Sequence, residues 1–175
     1  MSARALFLCT GNSARSQLAE AIGRHLAKGR LEFLSAGTHP KPDVHPLVFE
    51  SLAEMGIDAS GLVPKPVEQF AGERFDYVIA LCNRALESCP AFPANATVAW
   101  TFGDPAALEP ERQREAFANV ALGLLLRIPV LLEYHERFGA SKDLKPHVES
   151  VSSVLLAIAK QQATGRAHYH GTSED

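Results

Sequence analysis

Two hydrophobic patterns alternate along this chain. Short apolar runs bounded by turn residues give way to longer stretches in which apolar positions recur every three or four residues. Ala3 to Cys9 reads as a short buried strand, and Thr10 to Ser16 as a polar turn. From there to Lys28 the period is helical, with Leu18, Ile22 and Leu26 on one face and Gly29 just past the end. Leu31 to Ala36 is a second strand, closed by Gly37. Pro46 to Met55 is a helix with Gly56 as its C′ residue. Phe75 to Leu81 is a continuous apolar strand of the kind found in parallel sheets, and Thr97 to Phe102 is another. Glu109 to about Phe138 is mostly helix, and Pro146 to Gln162 carries Val148, Val151, Leu155 and Ile158 in helical register. Thr164 to Asp175 reads as a frayed tail.

Strands alternating with helices predict an α/β fold, an open parallel sheet with helices on both faces. Ligands in such sheets bind beyond the carboxyl ends of the strands. Cys9, Cys82 and Asp104 all fall at or just after predicted strand ends, which places three reactive residue types on one edge.

Length and composition then narrow the classes. A chain of 175 residues, 46% hydrophobic and 21% charged, suits a soluble globular protein with a sizeable core. A formal net charge of -3 does not argue for a nucleic-acid surface, but leaves a small anionic substrate open. The run Ala5 to Leu8 is too short for a secretory signal. Val120 to Leu132 is broken by Arg127 and Pro129 and falls short of a membrane span, so a cytoplasmic protein is expected. Of seven histidines only His168 and His170 lie close together, so no metal site is expected. The three cysteines, Cys9, Cys82 and Cys89, are too few and odd in number for a disulfide scaffold. Taken singly, each could be a buried structural thiol.

Cys9-Thr10-Gly11-Asn12-Ser13-Ala14-Arg15-Ser16 holds the chemistry. It is a cysteine, five residues and an arginine between a strand and a helix, and it lacks the lysine of a nucleotide-binding loop. Such a turn points successive N–H groups inward as a nest for a tetrahedral oxyanion. The helix N-terminus favours both the anion and a thiolate. Arg15 can return over the site and take two oxyanion oxygens with its planar fork. Thiols in this setting fall to roughly 3.5–7.5, so Cys9 is expected to be ionised at neutral pH. Gly11 and Asn12 tolerate the positive φ that a tight nest needs. Ser16 can donate to the thiolate or cap the helix.

This segment resembles the signature loop of the low-molecular-weight protein tyrosine phosphatases and of the arsenate reductases that share their fold. The resemblance spans roughly Ala3 to Phe138. It implies a four-stranded parallel sheet over 1–138, with 139–175 as a C-terminal extension containing the 146–162 helix. It also implies that Cys9 attacks the central atom of a phosphate-like anion while Arg15 and the amides of residues 10–16 bind the oxygens.

Asp104-Pro105 alone would mark a turn. In the resembling family an Asp at this place protonates the leaving oxygen, and Asp104 matches it. The phosphatases usually follow this Asp-Pro with a tyrosine, whereas here Ala106 and Ala107 follow. Trp100-Thr101-Phe102-Gly103-Asp104-Pro105-Ala106 is similar to the reductase pattern. Cys82 and Cys89, seven residues apart, fit neither a CxxC pair nor zinc spacing. The thioredoxin-coupled reductases carry a Cys pair at this place. The resemblance therefore implies arsenate reduction through a Cys9/Cys82/Cys89 relay recycled by thioredoxin, with no metal or organic cofactor. The alternative is a phosphatase that hydrolyses phosphomonoesters through a Cys9 phosphocysteine, with Cys82 and Cys89 as spectators or as a peroxide-protective pair.

Two further expectations follow. The 109–138 stretch is apolar over an arc wider than one sheet contact needs, and the surplus calls for cover by the 146–162 helix or by a second subunit. Some members of the resembling family bind potassium beside the loop. Those positions correspond to Asn12, Glu20, Ser35 and Lys65, the last in place of an Asp. Lys65 is thus expected to put its own ammonium where the cation would sit, donating to Glu20, the Asn12 side chain and a nearby oxygen, or else to be a solvated loop residue.

Overall fold

The computed structural model describes residues 3–88 and 92–139. Four strands, β1 (Arg4–Cys9), β2 (Glu32–Gly37), β3 (Phe75–Ala80) and β4 (Ala94–Ala99), form a parallel sheet in the order β2-β1-β3-β4. Leu6 of β1 pairs with Leu34 on one side and Val78 on the other. Every β1 residue from Ala5 to Cys9 is buried, which requires cover on both faces of the sheet. The chain leaves β1 toward β2 on one side and then crosses to β3 on the other. The carboxyl end of β1, where Cys9 stands, is therefore the topological switch point at which an open α/β sheet leaves a crevice.

The helices are α1 (Arg15–Ala27), α2 (Pro46–Glu54), α3 (Asn83–Ser88) and α4 (Pro110–Phe138). Phe7 and Phe33 stack at 5.4 Å in the core under α1. Gly23 lies inside α1, where glycine costs about 1 kcal/mol against alanine. A Cβ there would stand 2.6 Å from the Phe33 ring, so the glycine sets the distance between helix and sheet. Lys28 and Gly29 turn the chain out of α1 with φ of 48° and 86°, and Gly56 does so after α2 with φ of 66°.

Most predicted elements stand within one residue of their expected ends, but β4 does not. The reading of Thr97 to Phe102 is corrected to Ala94–Ala99. Ala94, Asn95 and Ala96 are poor strand formers, and pairing from Phe75–Ala94 to Ala80–Ala99 recruits them. The chain remains tied past the strand, since Trp100 N–H donates to the Ala80 carbonyl (2.8 Å) and Phe102 N–H to that of Leu81 (3.0 Å).

α4 runs unbroken through Pro129 for 29 residues. By length and composition alone, with a window hydropathy of 1.7, it could cross a membrane. In the fold it packs on α1 and α2 and buries Phe117, Val120, Leu124, Ile128 and Leu131. Leu122 and Leu126 on its outer side are about half exposed. The end of α4 is fastened to the sheet by Tyr77, whose hydroxyl donates to the Gly139 carbonyl and accepts from His135 Nδ1, both at 3.0 Å. The expected 146–162 helix and the tail lie outside the described residues.

Candidate active site

Residues 9–16 form the cradle, and the carbonyls show how its amides come to face inward. The Cys9, Thr10, Gly11 and Ser13 carbonyls each accept an N–H from the segment after β2: Thr38 (3.3 Å), His39 (2.8 Å), Lys41 (2.9 Å) and His45 (2.9 Å). The Asn12 carbonyl accepts from Gln17 Nε2 (2.9 Å) and that of Ala14 from Leu18 N–H (3.0 Å). With all six carbonyls bonded outward, the peptide dipoles present their positive ends to the crevice. Gly37 makes this possible. A Cβ there would meet the Thr10 carbonyl oxygen at 2.7 Å and the Asn12 nitrogen at 2.9 Å. The sequence reading saw Gly37 only as a strand end, and nothing along the chain signals which backbone will press on it. Of the two residues that tolerate positive φ, Asn12 (41°) adopts it and Gly11 does not. Gly11 instead leaves room for the Lys41 side chain, 3.4 Å from where a Cβ would be.

Ser16 does not cap α1. The N-cap position is Ala14, without a side-chain bond, and the Ser16 hydroxyl lies 2.8 Å from Cys9 Sγ. Asn12 Oδ1 accepts the Lys65 backbone N–H at 2.6 Å, which fixes the amide orientation. Asn12 Nδ2 then donates to Ser16 Oγ (2.8 Å) and Ser35 Oγ (2.9 Å). Ser16 Oγ shares a hydrogen bond with Cys9 sulfur, and Ser35 donates to Glu20 Oε2 (2.5 Å). Asn12 N–H also reaches the sulfur at 3.2 Å.

These donors act against the desolvation of the sulfur. Burial is the largest influence and pushes the Cys9 thiol up from its ordinary value. The Ser16 hydroxyl and N–H, the Arg15 charge and the Asn12 N–H pull the other way without overtaking it. Burial thus works against the expected neutral-pH thiolate in the unliganded cradle, because the sulfur has lost hydration.

Arg15 is largely buried, with Nη1 donating to the Phe102 carbonyl at 3.0 Å and Nη2 3.5 Å from Asp104 Oδ2. Asp104 is half exposed and caps the 3₁₀ turn Pro105–Ala107, accepting from Ala106 N–H at 3.3 Å. Cys82, two residues past β3, is buried; its sulfur accepts from Ala85 N–H (3.4 Å) and lies 3.5 Å from Thr10 Oγ1. Cys9, Thr10, Gly11, Ser13, Ala14, Arg15, Cys82 and Asp104 line one cleft of about 530 Å³, with Asn12 and Ser16 behind the cradle. Cys89 lies outside the described residues. The sequence reading missed His39, Lys41 and Arg84, which also line the cleft. Lys41 and Arg84 join Arg15 to make it locally basic in a chain of net charge -3, because the fold gathers cations that are scattered in sequence.

Lys65 is no solvated loop residue. Its side chain is 13% exposed, and the ammonium donates to Glu20 Oε2 (2.9 Å) and the Val63 carbonyl (3.2 Å). One detail is corrected, in that Asn12 accepts the Lys65 backbone N–H rather than its ammonium. Glu20 is itself buried, so the pair anchors the hydrogen-bonded row Lys65, Glu20, Ser35, Asn12, Ser16, Cys9.

A strand, an inward-facing amide nest and a helix carrying a Cys-x₅-Arg pair on a parallel sheet define an oxyanion-handling thiol site. The model of the low molecular weight phosphotyrosine protein phosphatase family matches residues 4–104, and the chain belongs to that family. It is similar to an arsenate reductase of Halalkalibacterium halodurans, 39% identical over 104 residues that cover 59% of this chain and 74% of the relative. Among solved structures, an arsenate reductase in the phosphate-binding state superposes with a TM-score of 0.65 at 30% identity, covering 75% of this chain and 97% of that one. The thioredoxin-dependent arsenate reductase of Corynebacterium glutamicum superposes with a TM-score of 0.59 at 30% identity, covering 77% of this chain and 62% of that one.

Proposed function

We propose that this protein reduces arsenate to arsenite in the cytoplasm, with thioredoxin as the source of electrons. The observation that carries the reading is that Cys82 shares the cleft of Cys9, across the Thr10 hydroxyl. A hydrolase needs one thiol there; a reductase needs two. The relatives named as arsenate reductases support the same reading.

Arsenate enters as an anion, with its oxygens on the loop amides and Arg15. A dianionic arsenate oxygen takes the proton of the buried Cys9 thiol, giving thiolate and monoanion. The sulfur attacks arsenic, and the departing oxygen leaves as water with Asp104 as its general acid. General acid help of this kind is worth about 10²–10⁴ in rate. Cys82 thiolate then attacks Cys9 sulfur. The electron pair of the S–As bond stays on arsenic, which falls from As(V) to As(III), and a Cys9–Cys82 disulfide remains. Cys89 attacks Cys82 and frees Cys9, and a dithiol of thioredoxin reduces the Cys82–Cys89 bond.

α3 lies between these two cysteines. A helical rise over seven residues is about 10.5 Å, whereas disulfide Cα atoms lie within about 7 Å. α3 must therefore unwind in the last steps. The second reading, phosphomonoester hydrolysis, is favoured by the family match and uses Cys9, Arg15 and Asp104 alone. Ala106 in the cleft gives an aromatic substrate no ring to stack on. The deciding assay follows NADPH consumption with arsenate, thioredoxin and thioredoxin reductase, beside hydrolysis of an aryl phosphate. Arsenate-dependent consumption is expected; aryl phosphate hydrolysis without it would establish the phosphatase instead.

A further inference from the structure

Arg15 must present one particular edge of its guanidinium to the substrate, and nothing in the loop itself decides which. The carbonyl that engages Nη1 belongs to Phe102, 87 residues away. With Nη1 occupied there, the Nε–Nη2 edge is left to bind two oxyanion oxygens, and Asp104 stands beside that same edge, 3.5 Å from Nη2. The position of the Phe102 carbonyl therefore matters more than that of an ordinary loop peptide.

The Phe102 ring is held from α4. Gly123 lies inside that helix, where glycine is disfavoured by about 1 kcal/mol. A Cβ on it would stand 2.5 Å from Phe102 Cε1 and 3.1 Å from Cζ, a collision with a rigid ring rather than with a flexible chain end. Arg127, one turn on, donates from Nη1 to the Gly123 carbonyl at 3.0 Å and lays its guanidinium over the same ring, 5.0 Å from the centroid. The Phe102 N–H is fixed as well, on the Leu81 carbonyl next to Cys82. Ring, N–H and carbonyl each engage a different part of the fold.

We infer that Phe102 is a positioning residue for oxyanion binding: a notch in α4 made by Gly123 and covered by Arg127 seats its ring, and its carbonyl thereby sets which edge of Arg15 faces the cradle. The inference rests on the reading that this cradle binds oxyanions, and α4 becomes part of the active-site architecture through it.

The test is calorimetric binding of inorganic phosphate to four full-length proteins: wild type, Gly123→Ala, Phe102→Ala and the double variant Gly123→Ala/Phe102→Leu. Gly123→Ala fills the notch, and Phe102→Ala empties it without a clash and carries the test if the first fails to fold. Each single variant is expected to bind phosphate roughly tenfold or more weakly, the scale of one charge-assisted hydrogen bond. Melting of the phosphate-free proteins should shift by only a few degrees. In the double variant the shorter leucine should restore binding despite the filled notch, which a general loss of stability would not do. Phosphate affinity unchanged in the single variants, or a loss in Gly123→Ala that leucine fails to restore, overturns the inference alone. A wild-type protein that binds no phosphate sinks the cradle reading and this inference with it.

Discussion

The two thiol-bearing regions of the cleft are built on opposite plans. Around Cys9, all six carbonyls from residue 9 to residue 14 are bonded, four of them to one neighbouring segment, and residues 12–20 are buried without a break. Beyond Cys82, α3 is six residues long, and Asn83, Arg84 and Glu87 face solvent while Ala85 is buried. A helix of that length has little stability of its own. The contrast matches what the proposed relay asks of each region. Oxyanion binding gains from donors that need not reorganise when charge arrives. A relay gains from a thiol carrier whose local unfolding is easy.

The largest effects come from the cysteines themselves. Cys9→Ser is expected to abolish both arsenate reduction and aryl phosphate hydrolysis. Cys82→Ser and Cys89→Ser should stop thioredoxin-coupled turnover while sparing hydrolysis, which needs the fixed region alone. The pair also differ from each other: with no added reductant, Cys89→Ser should release one arsenite per chain and Cys82→Ser none. Sustained turnover of arsenate by Cys82→Ser with thioredoxin would refute the relay.

Next comes a change confined to the rigid side. Gly37→Ala places a methyl group against the Thr10 carbonyl and the Asn12 nitrogen, both backbone atoms that cannot swing away. It should cost about 1–3 kcal/mol of stability, the usual scale of overpacking, and weaken phosphate binding. Ala85→Gly in α3 should cost about 1 kcal/mol and leave phosphate affinity alone. Equal effects of the two on phosphate binding, measured by calorimetry, would erase the distinction between the regions.

A smaller effect concerns proton affinity. Burial pushes the Cys9 thiol up from its ordinary value, so its reactivity is expected to grow as pH climbs past the ordinary thiol range. The iodoacetamide alkylation rate of the free protein should therefore keep rising there rather than level off below it. Ser16→Ala removes the strongest of the opposing pulls and should move the profile further up. A plateau below neutral pH in the wild type would show that the donors outweigh burial.

The smallest expected effect is none. With the Lys65 ammonium on Glu20, exchanging potassium for sodium at fixed ionic strength should leave the melting temperature unchanged. Lys65→Asp removes the tethered cation and should create a potassium dependence. A wild-type protein clearly stabilised by potassium over sodium would show that Lys65 does not fill that place.

Much of this was legible in one dimension. The helices announce themselves by a period of 3.6 and the central strands by short continuous apolar runs, because the helices bury one face and these strands bury both. The chemistry of residues 9–16 is readable because its ligands are contiguous: one turn supplies the thiol, the amides, the helix end and the arginine. Asp104 and Cys82 could be assigned to the same edge from their places after strands. β4 was displaced because Ala94 to Ala96 carry no strand preference of their own and take it from β3.

What the sequence determined by itself, then, is the local chemistry: the Cys-x₅-Arg loop on its strand-turn-helix frame, and the order of elements that carries it to a sheet edge. Only the tertiary structure decided how the loop is held and tuned. Gly37 under the Thr10 carbonyl, the 38–45 segment on the outer carbonyls, Lys65 on Glu20 and Phe102 in the Gly123 notch all join residues distant in the chain. The thiol's raised proton affinity likewise comes from burial, which no stretch of sequence specifies. The physical reason is common to all of them. Van der Waals exclusion and desolvation depend on which distant atoms occupy the same few ångströms, and only the folded chain brings those atoms together.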